Sequence, residues 1–509
     1  MNIENNPNKI AEDLSASNTF PAFLELLKLK MREVFRELNT TDPFTTKRGV
    51  PDLVLNEIMP LVPLSVVIPK EFGGRGGRIE ENLLMTSAAA YESLAFSLTL
   101  GINSALFLQP VIKYAKNDVK AQVLSGFINE QKMGGLMITE PDFGSDALNM
   151  QTVFSKENDH YYLKGTKHWA GLTGFANYWL LTAREQTKSG HLKRDLDFFI
   201  CDVKNTEQEI VVEEYFDNLG LHHIPYGRNI INVKIPKIQR LEPVTSGINL
   251  LLDLLHRSRL QFPAMGQGFI QRMLDEAISH TKQRIIGGKS LSHFDQVQYR
   301  LARMQSSFTI CSAMCAYSSK NAGIENNLST CGLEGNSFKA LATDMMQEAA
   351  QSLVQLVGAK AYRYSHIGGR GIIDSRPFQI FEGSNDMLYA QISESLIKLM
   401  KQAKEQNLYL FLKNFRFAKN SALLIKDLLI FDLNPLLSQR KLVDLGLIIS
   451  RIIAMQMVIE LGEKNFRKDL ISNTISILRA DISGLMGHFK QSEKAQVIED
   501  YHENSSWVG

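Results

Sequence analysis

The sequence predicts an α+β protein: an N-terminal α-helical domain, a middle β-barrel or β-sandwich domain, an α-helical bundle domain, and an additional C-terminal helical domain. Three observations predict this order. Helical periodicity governs Phe20 to Asn39 and returns from Ile79 to Phe127. From about Met133 the pattern changes to short β-branched or aromatic segments separated by polar turns. After Pro243 helical periodicity resumes and persists nearly to the end. At 509 residues the chain exceeds a single ordinary core and suits roughly three or four units.

The N-terminal helical domain is expected over 18–132. Before it, Met1 to Ser17 is polar and rich in Asn and Glu, with neither a basic start and apolar run nor an Arg-rich amphipathic pattern, so no signal or transit segment is expected. The glycine-rich stretch Ile68 to Gly77 lacks a preceding strand and a following Gly-Lys-Ser/Thr, so it reads as a structural turn rather than a phosphate cradle. The β domain, 133–242, rests on Tyr161 to Leu163, Tyr178 to Thr182, Asp197 to Val203, Glu209 to Glu214 and Asn229 to Ile235. The bundle is expected over 243–402, followed by a helical extension over 403–509 whose tail beyond Tyr501 reads as loose. The longest apolar stretch, Leu442 to Leu461, carries Asp444, Arg451 and Glu460, which favours a buried bundle helix over a transmembrane one.

Composition narrows function. A hydrophobic fraction of 44% with 22% charged residues suits a globular protein with ample core. A net charge of +2, without Lys/Arg runs, gives no electrostatic case for nucleic acid. The cysteines, Cys201, Cys311, Cys315 and Cys331, read as reduced thiols; Cys311 and Cys315 share a helix face but have no second ligand pair, so no metal site is expected. A cytoplasmic location follows, with peripheral contact at the inner membrane surface as the alternative for the C-terminal block.

The segment Gln379-Ile-Phe-Glu-Gly-Ser-Asn-Asp-Met387 sets one carboxylate, Glu382, between apolar neighbours and before a glycine. Apolar surroundings raise a carboxyl pKa toward the range of a competent base, and glycine lets a ligand approach closely. Alone, a Glu-Gly pair more often ends a helix than does chemistry.

Four segments in order decide between these readings. They are Met137-Ile-Thr-Glu-Pro-Asp-Phe-Gly-Ser-Asp146, Lys164-Gly-Thr-Lys-His-Trp-Ala170, Arg284-Ile-Ile-Gly-Gly-Lys289 followed by Gln296, and Ile380-Phe-Glu-Gly-Ser-Asn-Asp386. Together they resemble the signatures of the acyl-CoA dehydrogenase family over roughly Phe20 to Met400. The nearest branch by resemblance is the very-long-chain type, which also carries a C-terminal helical extension.

The resemblance implies FAD-dependent α,β-dehydrogenation of an acyl-CoA or other acyl thioester, as in fatty acid β-oxidation. Glu382 matches the base that removes the α-proton while hydride passes to flavin N5. It implies that Leu136, Ile138, Thr139, Ser145, Trp169, Ala170 and Gly171 border the flavin. Arg284 and Gln355 match residues that reach the FAD of a neighbouring subunit, hence a homodimer, and Ser384, Asn385 and Asp386 also match FAD contacts. Ser145, Arg259, Phe381 and Gly383 match the substrate side. The implied electron acceptor is an electron-transferring flavoprotein; an acyl-CoA oxidase or a catalytically quiet scaffold of the same fold are the alternatives. The chain departs from the family where Gly171 replaces a Thr or Ser, Gly287 a Phe, Ala359 and Ala361 glycines, and Ile373 an Arg. Acyl chain length is not legible in the residues.

Overall fold

The computed structural model describes residues 19–39, 48–491, 496–503 and 505. The polar N-terminal segment Met1 to Ser17 lies outside these, as does most of the tail beyond Tyr501. Helix α1 (Phe20–Leu38) buries Phe23, Leu27, Met31 and Val34, one apolar stripe at helical spacing. The glycine-rich connection is a structural turn: the N–H groups of Arg75, Gly76 and Gly77 donate to Ser65, Ile68 and Val66. A Cβ on Gly74 would lie 2.0 Å from the Ile68 carbonyl oxygen, so only glycine fits.

The predicted helical run from Ile79 to Phe127 is three helices: α2 (Ile79–Glu92), α3 (Leu94–Tyr114) and α4 (Asn117–Asn129). Ser93 caps α3, its hydroxyl accepting from Phe96 N at 3.2 Å. Residues Ile102–Leu108 of α3 are wound as a π-helix just before Pro110. Proline cannot donate to a carbonyl one turn back, so the wider turn precedes it.

The β domain is one seven-stranded sheet: β1 (Gly134–Met137), β2 (Val153–Glu157), β3 (His160–His168), β4 (Tyr178–Gln186), β5 (Leu192–Asp202), β6 (Gln208–Tyr215) and β7 (Gly227–Pro236). The order is β1-β4-β2-β3-β7-β6, with β5 also on β4; β1 and β2 run parallel to β4 and the other pairs are antiparallel. Several strands extend past their predicted segments. Strand β3 continues through Lys164, Thr166 and Lys167, because alternate residues face opposite sides and a polar residue need not end a strand. Phe154, Tyr161 and Phe199 meet edge-on in the core beneath.

The bundle consists of α5 (Gly247–Gln283), α6 (Asp295–Asn321), α7 (Gly332–Val357), α8 (Ile367–Ser375) and α9 (Asn385–Ala403). After α5, strands β8 (Ile285–Ile286) and β9 (Lys289–Ser290) form a hairpin whose turn residues, Gly287 and Gly288, both have positive φ. A two-residue turn of this kind demands left-handed backbone, which accounts for Gly287.

The extension adds short helices and then α10 (Gln439–Gly462) and α11 (Lys468–Lys490). Among the described residues, α3 and α10 are long and apolar enough to cross a membrane, but the fold buries 89% and 72% of their apolar windows. They are core helices. Helix α10 lies so close to α9 that a Cβ on Gly446 would be 2.1 Å from the Tyr389 carbonyl oxygen. The cysteines are free thiols, and no cluster of three metal-ligating side chains occurs among the described residues.

Candidate active site

Glu382 sits on a short loop between the turn Arg376–Gln379 and the start of α9. Ile380 N and Phe381 N both donate to Pro377 O, and the Phe381 ring packs against Phe378 and Phe262. The chain then turns left-handed twice, at Glu382 (φ 53°) and Gly383 (φ 95°). For a residue with a Cβ that conformation costs about 1–2 kcal/mol, so surrounding contacts must enforce it.

Those contacts come from α5 and α7. Arg259, buried on α5, donates from Nε and Nη2 to the Glu382 carbonyl oxygen at 3.1 and 2.7 Å, and from Nη1 to Asn336 Oδ1 at 2.6 Å. Lys339, fully buried on α7, donates to Gly383 O at 2.8 Å and Asn385 Oδ1 at 3.0 Å. The Asn385 amide donates in turn to Ala340 O, Thr343 Oγ1 and Asp344 Oδ1. Asn385 is therefore an anchor of the loop within the bundle, whereas Asp386 beside it is exposed and Ser384 is half-buried.

The Glu382 carboxylate has two unlike oxygens. Oε1 accepts from Ser258 Oγ at 2.9 Å, while Oε2 is buried and has no hydrogen-bond partner. Burial pushes the carboxyl above its ordinary pKa, against the lowering effects of the Arg259 charge, the Ser258 hydrogen bond and the Lys339 charge. An unpartnered oxygen on a carboxyl of raised pKa is a proton acceptor in waiting.

A second group of predicted residues gathers at the ends of β1 and β3. His168 N donates to Thr139 O at 2.8 Å, and Trp169 N to Gly227 O at 3.0 Å. Trp169 is left-handed (φ 54°), 52% exposed, and packed at a tilt on Phe216 with ring centroids 4.4 Å apart. Beneath them Glu140 and Lys167, one from each sequence motif, form a buried ion pair at 2.8 Å. Glu140 also accepts from Gln151 N and Thr152 N. Leu136, Ile138 and Thr139 are half-buried along this edge, Ala170 is buried, and Ser145 is exposed. The side-chain hydroxyls of Thr139 and Ser145 make no hydrogen bond among the described residues. At Gly171 a Cβ would lie 2.7 Å from Ile102 Cδ1, so a Thr there would have to displace the tip of a side chain from the π-helical segment of α3.

Arg284 and Gln355 lie elsewhere, exposed near the far ends of α5 and α7. At 1.5 Å per residue, Arg284 is about 37 Å along the helix from Arg259. Within one chain they cannot join Glu382. Sequence reasoning missed Ser258, Asn336, Lys339, Glu140 and Lys167. Glu140 and Lys167 stood inside the quoted motifs without a role of their own, and Lys339 left a signal as one cation in the apolar run Phe338-Lys-Ala-Leu-Ala342.

A helical domain, a mostly antiparallel β domain and a helical bundle that presents a half-buried glutamate with one buried, unpartnered oxygen make up the architecture, and comparison with known proteins assigns its class. Acyl-CoA dehydrogenase family profiles match residues 31–131 (N-terminal domain), 135–232 (middle domain) and 245–397 (C-terminal domain). The chain belongs to the acyl-CoA dehydrogenase family. It is 25% identical to an acyl-CoA dehydrogenase of Bacillus subtilis over 342 residues, 66% of this chain and 86% of that one. It is 24% identical over 378 residues to the mitochondrial very long-chain specific acyl-CoA dehydrogenase of Mus musculus, covering 72% of this chain and 56% of the relative. The fold recurs in an acyl-CoA dehydrogenase of Bacillus anthracis complexed with FAD, with TM-score 0.70 and 17% identity, over 96% of this chain and 88% of that one. That breadth takes in the C-terminal extension.

Proposed function

We propose that the protein removes the α-proton and β-hydride of an acyl-CoA thioester, with FAD as cofactor and Glu382 as the base. The observation that carries this reading is the unpartnered, buried Oε2 of Glu382 on a doubly left-handed loop. Glu382 Oε2 takes the α-proton; Ser258 holds Oε1 and thereby fixes the carboxylate plane. Arg259 and Lys339 turn the carbonyls of Glu382 and Gly383 into the bundle. The apolar ring of Phe381 excludes water on one side.

FAD, when bound, supplies the two-electron acceptor for the β-hydride. The free hydroxyls of Thr139 and Ser145 and the half-exposed Trp169 suit such a group: two donors and an aromatic face that the chain itself leaves uncovered. Leu136, Ile138, Ala170, Gly171, Ser384 and Asp386 complete the proposed FAD side, and Gly383 the substrate side. Arg284 and Gln355, remote from Glu382 on their own chain, would serve the FAD of a second copy, and electrons would leave to an electron-transferring flavoprotein. Domain limits near 132, 242 and 402 fit this division of labour.

The test is anaerobic flavin bleaching with acyl-CoA thioesters of graded length. Glu382→Gln is expected to retain FAD and lose bleaching. Bleaching at the rate of the unaltered protein in that variant removes Glu382 from the chemistry.

A further inference from the structure

We infer that Lys339 is a positioning residue, which presents Glu382 as a base by clamping Gly383 to the head of α9. This rests on the reading of Glu382 given above. Lys339 is fully buried, and its ammonium donates to Gly383 O at 2.8 Å and to Asn385 Oδ1 at 3.0 Å. It thus bridges the residue after Glu382 and the first residue of the helix that follows.

Both features of this location oppose a cation. Burial disfavours an ammonium, and the amino end of a helix carries partial positive charge. A buried lysine placed against both effects needs a compensating task, and its two acceptors name one. With Arg259 on the Glu382 carbonyl and Lys339 on the next, two consecutive peptide units are pinned from separate helices. That double clamp holds φ positive at Glu382 and Gly383 and leaves Oε2 free.

The clamp is also sensitive to protons. Burial pushes Lys339 down to about 7, moderated by the Glu382 charge and reinforced by Arg259, with Asp344 on its own helix acting to raise it. Glu382 from the loop, Arg259 from α5 and Asp344 from α7 are the charged groups facing it. Its ammonium lowers the Glu382 pKa, so losing the charge leaves the carboxyl a group that protonates at higher pH.

The experiment compares Lys339→Met, similar in length without donor or charge, with Lys339→Gln, which keeps a donor only. Stopped-flow bleaching with butyryl-CoA is followed from pH 5.5 to 9 on FAD-loaded protein. For Lys339→Met the saturating rate should fall roughly ten- to a hundredfold, the range for one charged hydrogen bond, with little change in half-saturation. The acidic limb of its pH profile should move upward, and Lys339→Gln should recover part of the rate but keep the shifted limb. Unchanged rate and profile in both variants overturn the inference while leaving Glu382 intact.

If Lys339→Met does not fold, Lys339→Gln alone decides by its limb. If the unaltered protein bleaches with no acyl thioester, the reading of Glu382 fails. Amide hydrogen exchange over 380–388 then judges the clamp: faster exchange in the variants supports it, and unchanged exchange refutes it.

Discussion

Replacing Lys167 by methionine tests the join between the Thr-Glu-Pro and Lys-x-Trp motifs. Lys167 is fully buried and Glu140 is 4% exposed. The ammonium bonds Glu140 Oε1 at 2.8 Å, Thr182 Oγ1 at 3.0 Å and Ile138 O at 3.2 Å. Removing one partner of a buried pair costs about 3–5 kcal/mol, because the other charge is left uncompensated. Glu140 keeps the N–H groups of Gln151 and Thr152, which places this loss toward the lower end, about 3 kcal/mol. Adding Glu140→Gln removes the stranded charge, so the double variant should be more stable than the sum of its parts by about 1–2 kcal/mol.

The pH dependence gives a further signature of the same pair. Burial alone would raise the Glu140 carboxyl, but the Lys167 charge and hydrogen bond, with Thr152 and Gln151, outweigh it and hold the carboxyl low. A carboxyl held low contributes stability above its unfolded pKa of about 4.3, lost as pH falls through the lower folded value. The gap between parent and Lys167→Met is therefore widest near neutrality and should narrow in acid. Urea unfolding followed by the middle-domain signal at pH 7 and pH 4 measures both effects. A single-variant loss under about 1 kcal/mol at pH 7, or a gap that widens in acid, refutes the argument.

Two more perturbations address the bundle. Arg259→Met removes two charged hydrogen bonds to the Glu382 carbonyl and the largest charge opposing the upward shift of its carboxyl. The acidic limb of the bleaching profile should rise in pH and the rate should drop at least roughly tenfold, and a limb that moves down contradicts the assigned sign. Gly446→Ala places a Cβ 2.1 Å from Tyr389 O, which is backbone and cannot swing away. It should destabilise the docking of α10 on α9 by about 1–3 kcal/mol, seen as a lower melting temperature and early proteolytic release of the extension. A melting temperature like that of the parent would mean the helices part without cost.

The order of helices and strands was legible because it rests on local periodicity, which α1 and β7 display strongly, while α10 was legible as the longest apolar stretch. Glu382 and Trp169 were legible because short motifs surround them. The clamp was not. Ser258 and Lys339 meet the loop from 124 and 44 residues away, and no spacing rule links a lysine inside an apolar run to a distant glycine carbonyl. The departures show the same limit. Gly287 is a missing aromatic in sequence terms, yet the hairpin between β8 and β9 requires it. Gly171 is a missing hydroxyl, yet the side-chain tip of Ile102, 69 positions earlier, lies 2.7 Å from where a Cβ would be.

Ten described residues other than glycine have positive φ, and most suit the conformation cheaply. Asn158, Asp142, Gln131, Lys404 and Asn465 are polar turn or cap residues, Leu172 and Leu221 are locked within the core, and Val62 joins the 3-10 turns Met59–Leu61 and Pro63–Val66. Trp169 and Glu382 differ from all of these because their solvation is inverted. The large aromatic is half in water, while one oxygen of the Glu382 carboxylate is buried and unpartnered. Folding alone would favour the reverse, since burying an indole is favourable and burying an unpaired carboxylate oxygen is costly. Under the proposed function a ligand would offset the solvation costs at both residues, by covering the indole and offering the carboxylate a proton. The two residues that combine a left-handed backbone with inverted solvation are thus the two on which the proposed chemistry depends.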